Sequence, residues 1–221
     1  MSRKVAALVL AAGGSSRLGQ PKQLVEYHGE RLIDRAIRIA REAGASPIFV
    51  VLGAEYESIL KVLTPFDSTI RILINKGWKR GMASSIALGA SAAERVGADD
   101  LLILTCDQVS VTREHLKKLM ESSRREHVVA SYYWERRGIP ALFPDFAFHA
   151  LQELTGDTGA RDLLQDDAVF TVPLPGGEFD VDTPGDLERL RAMEHDAGHK
   201  RDTTSPEPEG NPSATAGTSG F

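Results

Sequence analysis

The chain has one cysteine among its 221 residues. That excludes an internal disulfide and fits a reducing, cytoplasmic setting. Positive charge is not in excess either: the net charge is −5, and the basic residues are scattered rather than striped. A surface that grips nucleic acid by its phosphate backbone is therefore not expected. Long apolar runs are missing. Met1-Ser2-Arg3-Lys4 has the charge of a secretory leader, but the apolar run after it ends within a few residues in glycines. That is too short for a leader core or a membrane span. No internal repeat is visible, and the length suits one domain with a substantial core.

What is present is concentrated near the start. The apolar run Val5-Ala6-Ala7-Leu8-Val9-Leu10 reads as a buried strand, and small residues replace it: Ala11, Ala12, Gly13, Gly14, Ser15 and Ser16. Small side chains let a backbone approach a ligand closely and present successive N–H groups. Two cations follow, Arg17 and Lys22, spaced so that both can fold back over one point. Backbone donors at a strand end, topped by two fixed positive charges, predict a polyphosphate site. The alternative is a glycine-rich turn whose Arg and Lys face water. Two familiar phosphate loops do not match. A P-loop needs Lys where Gln20 follows Gly19, and Gly13-Gly14-Ser15-Ser16-Arg17 lacks Gly-x-Gly-x-x-Gly.

Apolar positions Leu32, Ile33, Ala36, Ile37 and Ala40 predict an amphipathic helix from Arg31 to Ala43, closed by Gly44. The pattern then predicts strand 48–52, helix 55–63, strand 70–74, helix 84–95 and strand 101–105. Further along it predicts helix 112–122, strand 127–133, a hairpin tip at Glu135-Arg136-Arg137, strand 138–143, helix 145–154 and strand 169–173. Such alternation implies an α/β fold, a parallel sheet covered by helices, with ligands beyond the carboxyl ends of the strands. From about Ala197 the chain becomes rich in Pro, Gly, Ser, Thr and Glu. Residues 1–196 are therefore expected to form the domain and 197–221 a disordered tail. His195 and His199 have helical spacing, but no metal site is expected there.

Further stretches fall at the same edge of the sheet. Asn75-Lys76-Gly77-Trp78-Lys79-Arg80-Gly81-Met82-Ala83-Ser84-Ser85 places two serines near a helix N-terminus. Hydroxyls and free amides there bind phosphate or sugar hydroxyls, or else form an ordinary cap with Trp78 packed under the loop. Asp107 leaves an apolar strand in Thr105-Cys106-Asp107-Gln108. It either turns the chain toward the next helix or holds Mg²⁺, which takes one or two carboxylates plus phosphate oxygens and water. Cys106 reads as a small buried side chain, because no partnering base lies nearby. In Asp180-Val181-Asp182-Thr183-Pro184-Gly185-Asp186, Thr183 and Asp186 form a helix start. Alternation puts Asp180 and Asp182 on one face, and the pair predicts a second metal ligand beside Asp107. Gly138-Ile139-Pro140 by itself is a turn before an edge strand. In Gly156-Asp157-Thr158-Gly159-Ala160-Arg161, Arg161 either meets an anionic substrate or pairs with Asp162 or Asp166 at a helix start.

Leu10, Ala11, Ala12, Gly13, Ser15, Arg17, Leu18, Gly19 and Lys22 match, in order, the pattern Leu-Ala-[Ala/Gly]-Gly-x-Ser-x-Arg-[Met/Leu]-Gly-x-x-Lys. On these residues the chain resembles the MobA/MocA-like nucleotidyltransferases, which attach a nucleotide to the molybdenum cofactor. It is most similar to the cytidylyltransferase branch, where Asn-x-x-Trp-x-x-Gly-Met-x-Ser-Ser recurs. The resemblance spans about Val5 to Met193. It implies a single-domain, Rossmann-like fold, a mostly parallel sheet with helices on both faces. It also implies transfer of CMP from CTP to the terminal phosphate of a molybdopterin-type cofactor, with release of pyrophosphate. The nucleotide pocket it implies comprises Leu10, Ala11, Ala12, Gly13, Gly14, Ser15, Ser16, Arg17, Lys22, Gly81, Ser84 and Ser85, with Arg17, Lys22 and Asp107 catalytic. Mg²⁺, or Mn²⁺ as an alternative, falls on Asp107 and Asp182, and the acceptor on Gly138, Pro140, Asp157 and Arg161.

The family commonly carries Pro where this chain has Val109, a change to the turn but not to the ligand. GTP users tend to carry Gly at the position of Ala12, and cytidine users Ala. Delivery of the product implies transient contact with a molybdoenzyme or its chaperone, with neither membrane nor nucleic acid as partner. No general base is required, because the attacking phosphate oxygen is already anionic; alignment and charge neutralisation carry the reaction. The rivals are a guanylyltransferase for the same cofactor, a nucleotidyltransferase for a sugar phosphate, and a non-catalytic cofactor-delivery chaperone. Retention of Arg17, Lys22, Asp107 and Asp182 opposes the last.

Overall fold

Every residue of β1 (Val5–Ala11) is buried, as a strand must be when helices cover both faces of its sheet. A small hairpin follows, β2 (Glu26–Tyr27) and β3 (Glu30–Arg31), and then α1 (Leu32–Ala43), β4 (Ile48–Leu52), α2 (Tyr56–Val62) and β5 (Ile70–Ile74). The chain continues through α3 (Met82–Arg95), β6 (Asp100–Thr105), α4 (Arg113–Ser122), β7 (Val129–Tyr133) and β8 (Arg136–Pro144). It ends with α5 (Phe148–Gln152), β9 (Phe170–Pro173) and α6 (Pro184–Asp202). These elements come from a computed structural model that describes residues 3–63, 67–123 and 126–202.

The seven-stranded sheet has the order β5-β4-β1-β6-β8-β7-β9. β1 lies between β4 and β6, parallel to both, and β8 runs antiparallel to its two neighbours. Strand alternation divides the core. Val5, Ala7, Val9 and Ala11 share one layer with Ile48, Val50 and Leu52 and with α1 and α4. Ala6, Leu8 and Leu10 share the other with Phe49, Val51, α3 and α5. Gly44 closes α1 in the left-handed conformation, φ 105°, its N–H on the Ala40 and Arg41 carbonyls. A third apolar group, Leu18, Val25, Leu32, Val109, Phe179, Val181 and Leu190, ties the loop after β1 to the turn after β6 and to α6. This group sets the geometry of the site.

Several local expectations need correction. The hairpin tip is Trp134-Glu135, with φ of 48° and 56°, and Arg136 and Arg137 lie within β8. Two-residue turns of this hand are normally marked by Asn or Gly, and neither is present. β8 is an interior strand rather than an edge strand. Pro140 is tolerated because β8 bulges there: Ala130 pairs with Ala141 and Ser131 with Gly138, so Ile139 and Pro140 stand outside the β7–β8 register. The helix expected over 145–154 is a 3-10 turn, Asp145–Ala147, followed by the five residues of α5. α6 runs to Asp202, past the expected tail boundary at 197, while the remainder of that tail, 203–221, lies outside the described residues. No helix among the described residues is long and apolar enough to cross a membrane.

Candidate active site

β1 and β6 end side by side, with Leu10 opposite Thr105, so the loops that leave them emerge at one edge. The first loop is ordered by its own polar groups. The Leu18 and Gly19 N–H groups donate to the Ser15 carbonyl (3.0 and 3.1 Å), and the Lys22 N–H donates to Ser15 Oγ (3.1 Å). Gln23 is 1 % exposed, and its Nε2 donates to the carbonyls of Ala11 (2.7 Å) and Gly13 (3.0 Å), clamping the backbone on either side of Ala12. The Ala12 carbonyl accepts from the Ala54 N–H (3.0 Å). Trp78 packs under the loop: a Cβ on Gly14 would stand 3.0 Å from its indole. Against this loop lies an open cleft of about 300 Å³, lined in part by Gly13, Gly14, Ser15, Ser16, Gln23 and Glu55.

The second half of the site comes from far along the chain. Gln108 and Asp180 form an antiparallel bridge, and the Val181 N–H donates to the Asp107 carbonyl (3.3 Å). The exit of β6 and residues 179–182 thus run alongside each other, bringing Asp107, Asp180 and Asp182 to one place. Asp186 completes a capping box: its Oδ2 accepts from the Thr183 N–H (2.8 Å), the Thr183 hydroxyl (2.7 Å) and the Asp182 N–H (3.2 Å). Lys22 Nζ donates to Asp107 Oδ2 and to Asp182 Oδ1 (2.9 Å), and Arg17 Nη2 donates to Asp182 Oδ2 (2.8 Å). The two cations do fold back over one point, and that point is the Asp107–Asp182 pair.

Electrostatics follow from this crowding. Burial alone would lower the pKa of Lys22; the charge of Asp107 and hydrogen bonds to both aspartates outweigh it, so the ammonium is held more firmly than usual. Burial, then the charges of Asp107 and Asp182, pushes the Asp180 carboxyl up to about 7. Burial pushes the Cys106 thiol up to about 12, so it is no nucleophile at neutral pH. The cap of α4 is Thr112, whose Oγ1 accepts from the His115 N–H (3.2 Å).

Asp107 Oδ1 and Asp180 Oδ1 are buried without a hydrogen-bond partner among the described residues. Hard carboxylate oxygens, with one on Asp107 still unengaged, fit Mg²⁺ or Mn²⁺, which complete their shells with phosphate and water. Among the described residues, no group of three His, Cys, Asp or Glu side chains is arranged to hold a metal alone.

Other predicted residues are placed differently from one another. Asn75 Nδ2 donates to both Ser84 Oγ and Ser85 Oγ (2.9 Å each), Ser84 Oγ donates to the Gly81 carbonyl (2.8 Å), and Ser85 is 4 % exposed. These hydroxyls bind the 75–81 loop to α3. Gly81 has φ 101°, and a Cβ on it would stand 2.3 Å from the Gly156 carbonyl oxygen. It therefore lets the Gly156–Arg161 segment reach the start of α3, leaving Asp157 and Arg161 exposed. Gly138 leaves room for Tyr133, whose hydroxyl donates to the Ile139 carbonyl (3.1 Å); Ser131 Oγ donates to the carbonyl of buried Pro140 (2.6 Å). Sequence reasoning did not assign Gln108, whose Nε2 donates to the Gly177 carbonyl (3.1 Å), nor Tyr133 or Asp180. Only Asp180 had a signal, its alternation with Asp182.

Residues 7–171 match the model of the MobA-like NTP transferase domain. The purine catabolism protein PucB of Bacillus subtilis is 28 % identical over 192 residues, 82 % of this chain and 93 % of that protein. Nicotine blue oxidoreductase of Paenarthrobacter nicotinovorans is 30 % identical over 202 residues, 84 % of this chain and 96 % of that protein. A probable molybdenum cofactor guanylyltransferase of Opitutus terrae is 27 % identical over 121 residues, 55 % of this chain and 56 % of that protein. The crystal structure of Rv0371c from Mycobacterium tuberculosis has a TM-score of 0.75 at 26 % identity, covering 86 % of this chain and 98 % of that one. A manganese complex of Rv0371c gives 0.67 at 22 % identity, covering 85 % and 97 %.

Proposed function

The chain belongs to the MobA-like NTP transferase family and is a nucleotidyltransferase, and from that premise we propose that it transfers CMP from CTP to the terminal phosphate of a molybdopterin-type cofactor, releasing pyrophosphate. One observation carries this reading: Arg17 and Lys22 converge with Asp107 and Asp182 at the end of the glycine loop. Cations on that loop suit the phosphates of a nucleotide, and the carboxylates suit a divalent ion. When bound, Mg²⁺ or Mn²⁺ on Asp107 and Asp182 supplies charge neutralisation at the phosphates. Arg17 and Lys22 stabilise the charge that moves onto pyrophosphate, and the acceptor's anionic phosphate oxygen needs no base.

Cytidine is favoured by Ala12, the residue that cytidine users tend to carry at this position, between the two carbonyls that Gln23 clamps. The transferase unit is residues 1–196, acting in the cytoplasm, with exposed Asp157 and Arg161 on the acceptor side. The guanylyl reading is favoured by the Opitutus relative, which matches about half of the chain.

The test is pyrophosphate release from CTP, GTP and ATP with a purified molybdopterin-type acceptor and with a sugar-phosphate panel. CTP should exceed the others by at least about tenfold in kcat/KM, which requires ~1.4 kcal/mol of differential transition-state binding. Preference for GTP would move the chain to the guanylyl branch, and turnover with a sugar phosphate alone would overturn the acceptor.

A further inference from the structure

Lys22 holds an unusual position for a residue expected to face phosphate. Its ammonium bonds one oxygen of Asp107 and one of Asp182, so a cation belonging to the protein sits between the two carboxylates that suit a divalent ion. The backbone beneath it is fixed. Its N–H is held by Ser15 Oγ, the 3-10 turn Lys22–Leu24 begins there, and the next residue is the buried Gln23 clamp. The side chain above that anchor is long and rotatable, so the head can move while the loop stays. Arg17 is likewise committed to Asp182, through the oxygen that Lys22 does not use. A divalent ion taking Asp107 Oδ2 or Asp182 Oδ1 would meet the ammonium at close range with little water between them, where like charges repel strongly.

We infer that Lys22 is a built-in counter-ion that keeps divalent metal off Asp107 and Asp182 until the phosphates of a nucleotide draw its ammonium away. This rests on the nucleotidyltransferase reading above. The phosphates offer Lys22 and Arg17 new anionic partners, and their departure releases the carboxylate oxygens for the metal. Metal and nucleotide then tighten each other's binding, as linkage requires. Metal alone binds weakly, although three carboxylates are gathered nearby.

The experiment is Mn²⁺ binding to the full chain without nucleotide, read from the electron paramagnetic resonance signal of free Mn²⁺. Lys22→Gln should bind Mn²⁺ tighter than wild type by about tenfold or more, within the usual range for coupled sites. Lys22→Arg, which keeps the charge, should stay weak. The double variant Lys22→Gln/Asp107→Asn should lose the gain. A second measurement needs no variant: in wild type, an α,β-methylene analogue of CTP should tighten Mn²⁺ binding beyond the affinity of the analogue itself for Mn²⁺. Equal Mn²⁺ affinity in wild type and folded Lys22→Gln overturns the inference, as does a gain that survives in the double variant. If those results appear while wild-type turnover still requires metal, the counter-ion role falls and the transferase reading stands. A wild-type chain that binds no nucleotide removes both.

Discussion

Gly81→Ala should cost far more than an ordinary glycine substitution, because two separate costs coincide there. The residue adopts φ 101° and ψ 174°, a region essentially closed to side chains, which costs about 1–3 kcal/mol. The added Cβ would stand 2.3 Å from the Gly156 oxygen, 2.5 Å from the Gly156 carbonyl carbon and 2.4 Å from Asp157 Oδ1. Those distances are well inside the ~3.5–4.0 Å at which nonbonded atoms attract. Two of the three atoms are backbone, and the Gly156 carbonyl also accepts from the Ala83 N–H (3.2 Å). The 156–161 segment must therefore move off the start of α3 and lose that bond, worth about 1 kcal/mol. Together these predict roughly 2–4 kcal/mol, a fall of about 5–15 °C in Tm for a chain of this size. Gly97→Ala is the control: φ is 63°, but nothing lies within 4 Å of its Cβ position, so only the left-handed backbone cost of about 1 kcal/mol applies. Thermal and urea unfolding of the two variants decide it. Equal destabilisation would refute the close approach of Gly81 to Gly156.

Arg17→Ala and Lys22→Ala should each lower kcat by about a hundredfold or more at saturating nucleotide, the scale of one lost transition-state contact; near-normal turnover would remove the residue from the mechanism. Asp107→Asn should abolish Mg²⁺-dependent turnover and Asp182→Asn should come close, since an amide keeps the shape but not the charge; a magnesium titration that matches wild type would contradict this. His115 is 6 % exposed, and burial, with a smaller push from Lys118, lowers its pKa from 6.5 to about 4. The unfolded chain takes up that proton below about 6.5 and the native state only near 4, so stability falls with pH across this window, by up to ~3 kcal/mol. Urea midpoints at neutral and acidic pH should diverge more for wild type than for His115→Gln, and equal divergence would refute the sign.

The parallel half of the sheet was legible because β1, β4 and β6 are unbroken apolar runs separated by helical periodicity and closed by turn residues such as Gly44. Long-range register was not. That Lys22 meets Asp107 and Asp182, rather than only a phosphate, depends on residues 179–182 pairing with the exit of β6, and no local spacing encodes that pairing. The antiparallel β8 is hard to place because Pro140 argues for an edge, and the bulge of β8 that accommodates it shows only in the register against β7. Trp134 and Glu135 turn the hairpin without glycine or asparagine, so the tip was read one residue late. The serines show a different limit: their position near a helix start was visible, but their capture by Asn75 was not.

Transfer of a nucleotidyl group is read without ambiguity from labelled product. CTP carrying the label on its α-phosphate is incubated with Mg²⁺, the full chain and a molybdopterin-type acceptor, and the label is followed by chromatography. Label should move onto the acceptor in one-to-one stoichiometry with pyrophosphate, and Asp107→Asn should leave it on CTP. Pyrophosphate without labelled acceptor, or label that stays on CTP with every acceptor offered to the wild type, would contradict it.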